Sequence, residues 1–180
     1  MVGSVLYELP DTLVAIDPLL PAEGRERLLE WLDELIAGRP LSILTTNRWH
    51  RRDRALLAER YRANNGPRAW NALPAGVTRL PLRGAGETLF WLPGALALVP
   101  GDRLLGVEGP AAGSELRVCP QSWLADVRAD RAEVAGLMRP LLDLPIERVL
   151  VSHGEPVLRY GHGALARALA EARGEAAPGG

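Results

Sequence analysis

The 180 residues hold 21 Lys and Arg against 22 Asp and Glu, a formal net charge of −1, and 47% of them are hydrophobic. This is apolar material for one sizeable core, and the near-neutral balance gives no global electrostatic reason to bind nucleic acid or an anionic membrane. The lone Cys119 excludes an intramolecular disulfide, the start lacks the basic and apolar regions of a secretory signal, and no apolar run approaches the roughly 20 residues that span a bilayer. A cytoplasmic chain is expected. All the basic residues are Arg; a GC-rich genome accounts for that bias as readily as selection for guanidinium chemistry, which weakens what any single arginine proves.

Along the chain, residues 5–9 and 12–17 read as two strands joined at Pro10-Asp11, a hairpin. From about Glu23 to Ala37, the residues Leu28, Leu29, Leu32, Leu35 and Ile36 form one helical stripe, with Gly38 placed to end the helix. LSILTT at 41–46 is a short buried strand, and the segment after it, 51–63, is a second helix with Leu57 and Tyr61 one turn apart. VTRLPL, ETLFWL and ALALV follow as a β-meander. A helix over 130–144, a strand ERVLVS and a last helix from about Gly163 to Arg173 complete a single domain over 1–173, with 174–180 as a flexible tail. Strands running into helices in both halves predict a mixed sheet pair with helices outside.

Three segments each follow an apolar strand: TTNRWHRRD at 45–53, VPGDRLLG at 99–106 and VLVSHGEP at 149–156. Loops at the carboxyl ends of strands are where α/β proteins build sites, so these distant residues are candidates to converge. A phosphate loop ending in Lys, a Gly-x-Ser-x-Gly elbow and a Cys-x-x-Cys pair are all missing from the sequence. That removes the kinase, serine-hydrolase and zinc-ribbon readings.

The order and spacing of the three segments resemble the metallo-β-lactamase superfamily, in which strands end in Thr-His-x-His-x-Asp-His, in Gly-Asp and in Gly-His-Gly. The resemblance runs from the opening hairpin to His153 and implies an α/β fold of the four-layer αββα sandwich type. It also shows departures. With Thr45 on the motif's threonine, Thr46 and Arg48 fall where the family has its first two histidines, His50 where it has aspartate and Arg51 where it has the last histidine. Arg83 falls near the middle histidine, with Glu87 close enough to compete. The resemblance thus implies a first metal site without its histidines and a second that keeps His50, Asp102 and His153, a set that suits Zn²⁺ or Fe²⁺.

Two readings stay open. In one, the chain is a hydrolase-like protein of an ester, thioester or phosphoester with at most one divalent metal. In the other it is a metal-free binding or interaction protein, and Arg48, Arg51 and Arg83 with Trp49 line a pocket for a small anion or other small molecule, aided by a helix amino terminus. Short loops around 47–54, 83–88 and 107–122 would set specificity. His162 reads as a cap or surface residue, Cys119 as a packed small side chain, and Trp31 and Trp91 as packing groups.

Overall fold

The computed structural model describes residues 2–175. They form two compact units, one of Ser4–Gly76 and the other of the described residues before Ser4 and from Val77 onward. No helix among the described residues is long and apolar enough to cross a membrane.

In the first unit, β1 (Val5–Glu8) and β2 (Leu13–Ile16) are antiparallel in the register Val5↔Ile16. Leu9 N–H donates to Thr12 O across the Pro10-Asp11 turn, as the hairpin pattern anticipates. α1 (Arg25–Ile36) then crosses over to β3 (Leu41–Leu44), which pairs parallel with β2 and, on its other side, with the short β4 (Asn64–Asn65). Every residue of β2 and β3 is buried, the continuous apolar run expected of parallel strands covered on both faces. Leu32 and Ile36 of α1 pack with Leu13, Ala15, Leu41 and Ile43. The helix ends as its Gly38 predicts: Ala37 and Gly38 both take positive φ, and Ala37 N–H closes on Asp33 O.

Three local expectations need correction. The second helix, α2, covers only Arg54–Tyr61; the arginines before it lie in a separate 3-10 turn, Arg48–Arg51, cut off by Arg52 at φ 31°. Trp31 is not a packed group. At the edge of the α1 stripe, it is 49% exposed and borders an apolar groove of about 150 Å³ lined by Leu6, Leu20, Leu28 and Leu32. The expected strand over 147–152 also shrinks, to Arg148–Val149. α3 (Pro67–Asn71) completes this unit.

The second unit opens with the anticipated meander: β5 (Thr78–Leu82), β6 (Glu87–Leu92) and β7 (Ala97–Val99) pair antiparallel in sequence. β8 (Leu104–Gly106) and β9 (Leu116–Val118) form a separate antiparallel pair. α4 (Arg131–Met138) begins in a capping box in which Asp130 and Glu133 each accept the other's backbone N–H. β10 (Arg148–Val149) pairs parallel with β7, and α5 (Gly161–Ala172) packs on β9 and α4. Phe90 and the core residues Leu89, Leu98, Leu104, Met138 and Leu165 are fully buried. β10 stops early because Val149 bridges to Val157, so the chain between them folds back as a turn that carries His153. Of the tail, residues 176–180 lie outside the described residues, while Glu175 N–H still donates to Ala170 O.

That turn rests directly on β8. Gly106 N–H donates to His153 O at 2.9 Å, and neither glycine at the contact can carry a side chain. A Cβ on Gly106 would lie 2.0 Å from Glu155 O, and one on Gly154, at φ +83°, 2.2 Å from Gly106 O. Gly106→Ala is therefore expected to cost at least roughly 2 kcal/mol in urea denaturation, through backbone overpacking. Gly109→Ala, where nothing lies within 4 Å, carries only the strain of its positive φ and costs less. Equal losses in the two variants would refute the contact.

Candidate metal centre

In the second unit, Asp102 sits in the turn between β7 and β8, and that turn is built around one buried carboxylate. Glu87, first residue of β6, accepts Gly101 N–H on Oε1 (2.9 Å) and the N–H groups of Asp102 (2.6 Å) and Arg103 (3.1 Å) on Oε2. Burial pushes its carboxyl up to about 7, against the lowering effect of the Gly101 and Asp102 N–H groups. The backbone of Asp102 is thereby fixed. Its Oδ1 stands 3.2 Å from His153 Nε2, with the two side chains 16% and 32% exposed.

Arg103 extends the same turn in the opposite direction. Only 6% exposed, it donates from Nε to Ala85 O (2.8 Å) and from its terminal nitrogens to Trp123 O (2.7 Å) and the Asp126 carboxylate (3.2 Å). Trp123 lies in the 3-10 turn Gln121–Leu124, and its ring meets the His153 ring edge-on, with centroids 5.5 Å apart at 78°.

In the first unit, His50 is buried at the end of its 3-10 turn beyond β3. The ring's Nδ1 donates to Asp17 Oδ2 at 2.8 Å and lies 2.9 Å from Thr46 Oγ1, whose hydroxyl donates to the same carboxylate oxygen at 2.5 Å. Thr46 N–H donates to Asp17 Oδ1. Asp17 itself ends β2 at a φ of 52° and is 2% exposed. A carboxylate on Nδ1 fixes the ring and its tautomer, with the hydrogen on Nδ1.

Asp102 and His153 are thus together within one unit, and His50 is held by Asp17 and Thr46 in the other. The remaining candidates fall as follows. Arg48, Trp49 and Arg51 are exposed on the 3-10 turn, with the Arg48 guanidinium 4.6 Å over the Trp49 ring. Asn47 Oδ1 accepts the N–H groups of Trp49 and His50, so the turn's first donors are already taken. Arg83 is exposed just after β5, whereas Glu87 is buried. His162 is exposed, with Nε2 2.9 Å from Leu142 O, and Cys119 is buried, which pushes its thiol up.

Sequence reasoning misses Asp17, Arg103 and the clamp role of Glu87. One signal exists for Asp17, an acidic residue closing an apolar strand beside a Pro.

No protein-family model matches the chain, and no curated protein matches it. Solved structures do. A metallo-β-lactamase from Erythrobacter litoralis aligns at 18% identity with a TM-score of 0.63, covering 96% of this chain and 81% of its own. An NDM_FIM-1-like metallo-β-lactamase from the same organism, in a mono-zinc form, aligns at 16% identity and TM-score 0.57, covering 96% and 85%. A metallo-β-lactamase family protein from Thermus thermophilus gives 15% and 0.53, covering 96% and 73%. The chain has the metallo-β-lactamase fold, as its three strand-end segments imply.

Glu87 makes a pH dependence of definite sign. A carboxyl whose pKa in the folded chain exceeds its ordinary 4.5 binds more protons folded than unfolded. Its contribution is full below pH 4.5 and is lost as pH rises through about 7. Metal-free protein is expected to lose stability to urea between about pH 5 and pH 8, with a shallower loss in Glu87→Gln; identical slopes would contradict this. Asp17→Ala leaves the Thr46 N–H and hydroxyl and the His50 Nδ1–H without their acceptor, and is expected to cost about 3 kcal/mol or more by the same assay. A loss below about 1 kcal/mol would show that the network contributes little.

Proposed function

We propose that the chain is a hydrolase-like protein of the metallo-β-lactamase fold that holds one divalent cation, zinc or iron, on Asp102 and His153, with His50 as the third protein ligand. The observation that carries this reading is the Asp102–His153 pair. Its 3.2 Å separation matches the edge of about 3.3 Å expected between two ligands of a tetrahedral ion with bonds of roughly 2.0–2.1 Å. One carboxylate and imidazole nitrogens are also the donor types that zinc and iron take.

His50 is assigned on the sequence pattern and on its own ring chemistry. Its Nδ1 is engaged by Asp17, so the ring would present Nε2, and a carboxylate behind the second nitrogen is the usual support of a ligating imidazole. The first metal site of the family pattern is proposed to be lost. Thr46 gives its hydroxyl to Asp17, Arg48 stacks on Trp49, and a guanidinium cannot ligate a cation.

When bound, the cation supplies a Lewis acid that polarises an ester, thioester or phosphoester and acidifies water. The protein's share is preorganisation. Glu87 fixes the Asp102 backbone, the Gly106 contact fixes the backbone of His153, and Asp17 keeps the His50 hydrogen on Nδ1. Preorganised ligands bind without first being ordered. Elemental analysis of protein purified without a histidine tag is expected to give about one zinc or iron per chain after loading. Asp102→Ala and His153→Ala are expected to lose it, and His50→Ala to bind more weakly. A wild type that takes up no metal refutes the proposal, and undiminished metal in Asp102→Ala and His153→Ala refutes the ligand assignment.

A further inference from the structure

One turn of the second unit places both Asp102 and an aromatic wall. Asp102 points toward His153, and the next residue, Arg103, commits its guanidinium to the backbone and side chains around Trp123. Leu124, 2% exposed, anchors the 3-10 turn in the core, and Trp123 N–H donates to Pro120 O. The Trp123 backbone is therefore rigid, yet its side chain is left 41% exposed, edge-on to the His153 ring. The ring is thus shared between His153 and solvent. A buried arginine holds the Trp123 carbonyl, and the ring stands beside His153.

We propose that Trp123 is the specificity-determining residue of the Asp102–His153 site, favouring substrates with a flat apolar group next to the reacting carbonyl or phosphoryl. This rests on the metal reading above. A rigid aromatic face offers contact area at little entropic cost and prefers another ring or an acyl chain over a small polar group. Arg103 holds the main chain of the turn from which the ring projects.

The test uses the full chain loaded with cobalt(II), whose visible absorption reports ligands entering its coordination sphere, titrated with benzoate and with acetate. The two share the carboxylate and differ in the ring. Wild type is expected to bind benzoate roughly three- to tenfold tighter than acetate, the range of one aromatic contact. Trp123→Ala should bring the ratio to about one, and Trp123→Phe should keep most of the preference. A ratio in Trp123→Ala equal to that of wild type overturns the assignment to Trp123 while leaving the metal site standing. A wild type that binds cobalt without preferring benzoate does the same. Failure of wild type to bind cobalt overturns the metal reading, and this inference with it.

Discussion

The Glu87 carboxylate, buried at the start of β6, accepts three successive backbone N–H groups from residues 101–103. A buried carboxylate is costly unless its oxygens are hydrogen-bonded, and unpaired backbone donors are costly too. The two needs meet in one place. Asp102 gains its direction from this turn, and Arg103, leaving it on the other side, fastens the segment that carries Trp123. The Asp102–His153 pair and its aromatic neighbour thus trace back to one buried side chain.

The first unit repeats the principle with different parts. Asp17, at the end of β2, receives the N–H and hydroxyl of Thr46 and the Nδ1 hydrogen of His50. Thr46 is a full member of that network: its hydroxyl donates to the carboxylate that also holds the His50 ring. In both units a buried carboxylate stands behind the candidate ligand and satisfies donors that would otherwise be stranded. Such networks specify one arrangement only when every member is paired.

Strands and helices with strong periodicity are legible in the sequence. The opening hairpin, the α1 stripe ending at Gly38 and the β-meander all occur where the apolar pattern puts them. So does the end of β7 before Asp102, because an apolar run broken by Gly-Asp marks where a strand stops, whereas the strand before His153 ends at Val149, short of its apolar run. The buried carboxylates are not legible in this way. Nothing local distinguishes Glu87 from a surface glutamate at the edge of a strand, since its partners come from a turn beyond the next strand. Arg103 is hidden among many arginines for the same reason. The 3-10 turn at Arg48–Arg51 merges with the helix that follows it in sequence, because Asn47 capping and the left-handed Arg52 have no periodic signature.

The contact between Gly106 and Gly154 ties two distant stretches of sequence into one structural decision. Neither position tolerates a side chain while the other backbone stays where it is, and no compensating trim exists, since the atoms in the way are main chain. Change at either place must therefore move the His153 turn as a body. The geometry of that histidine is inherited through two residues that have no chemistry of their own, and a lineage could lose it without altering a single polar group.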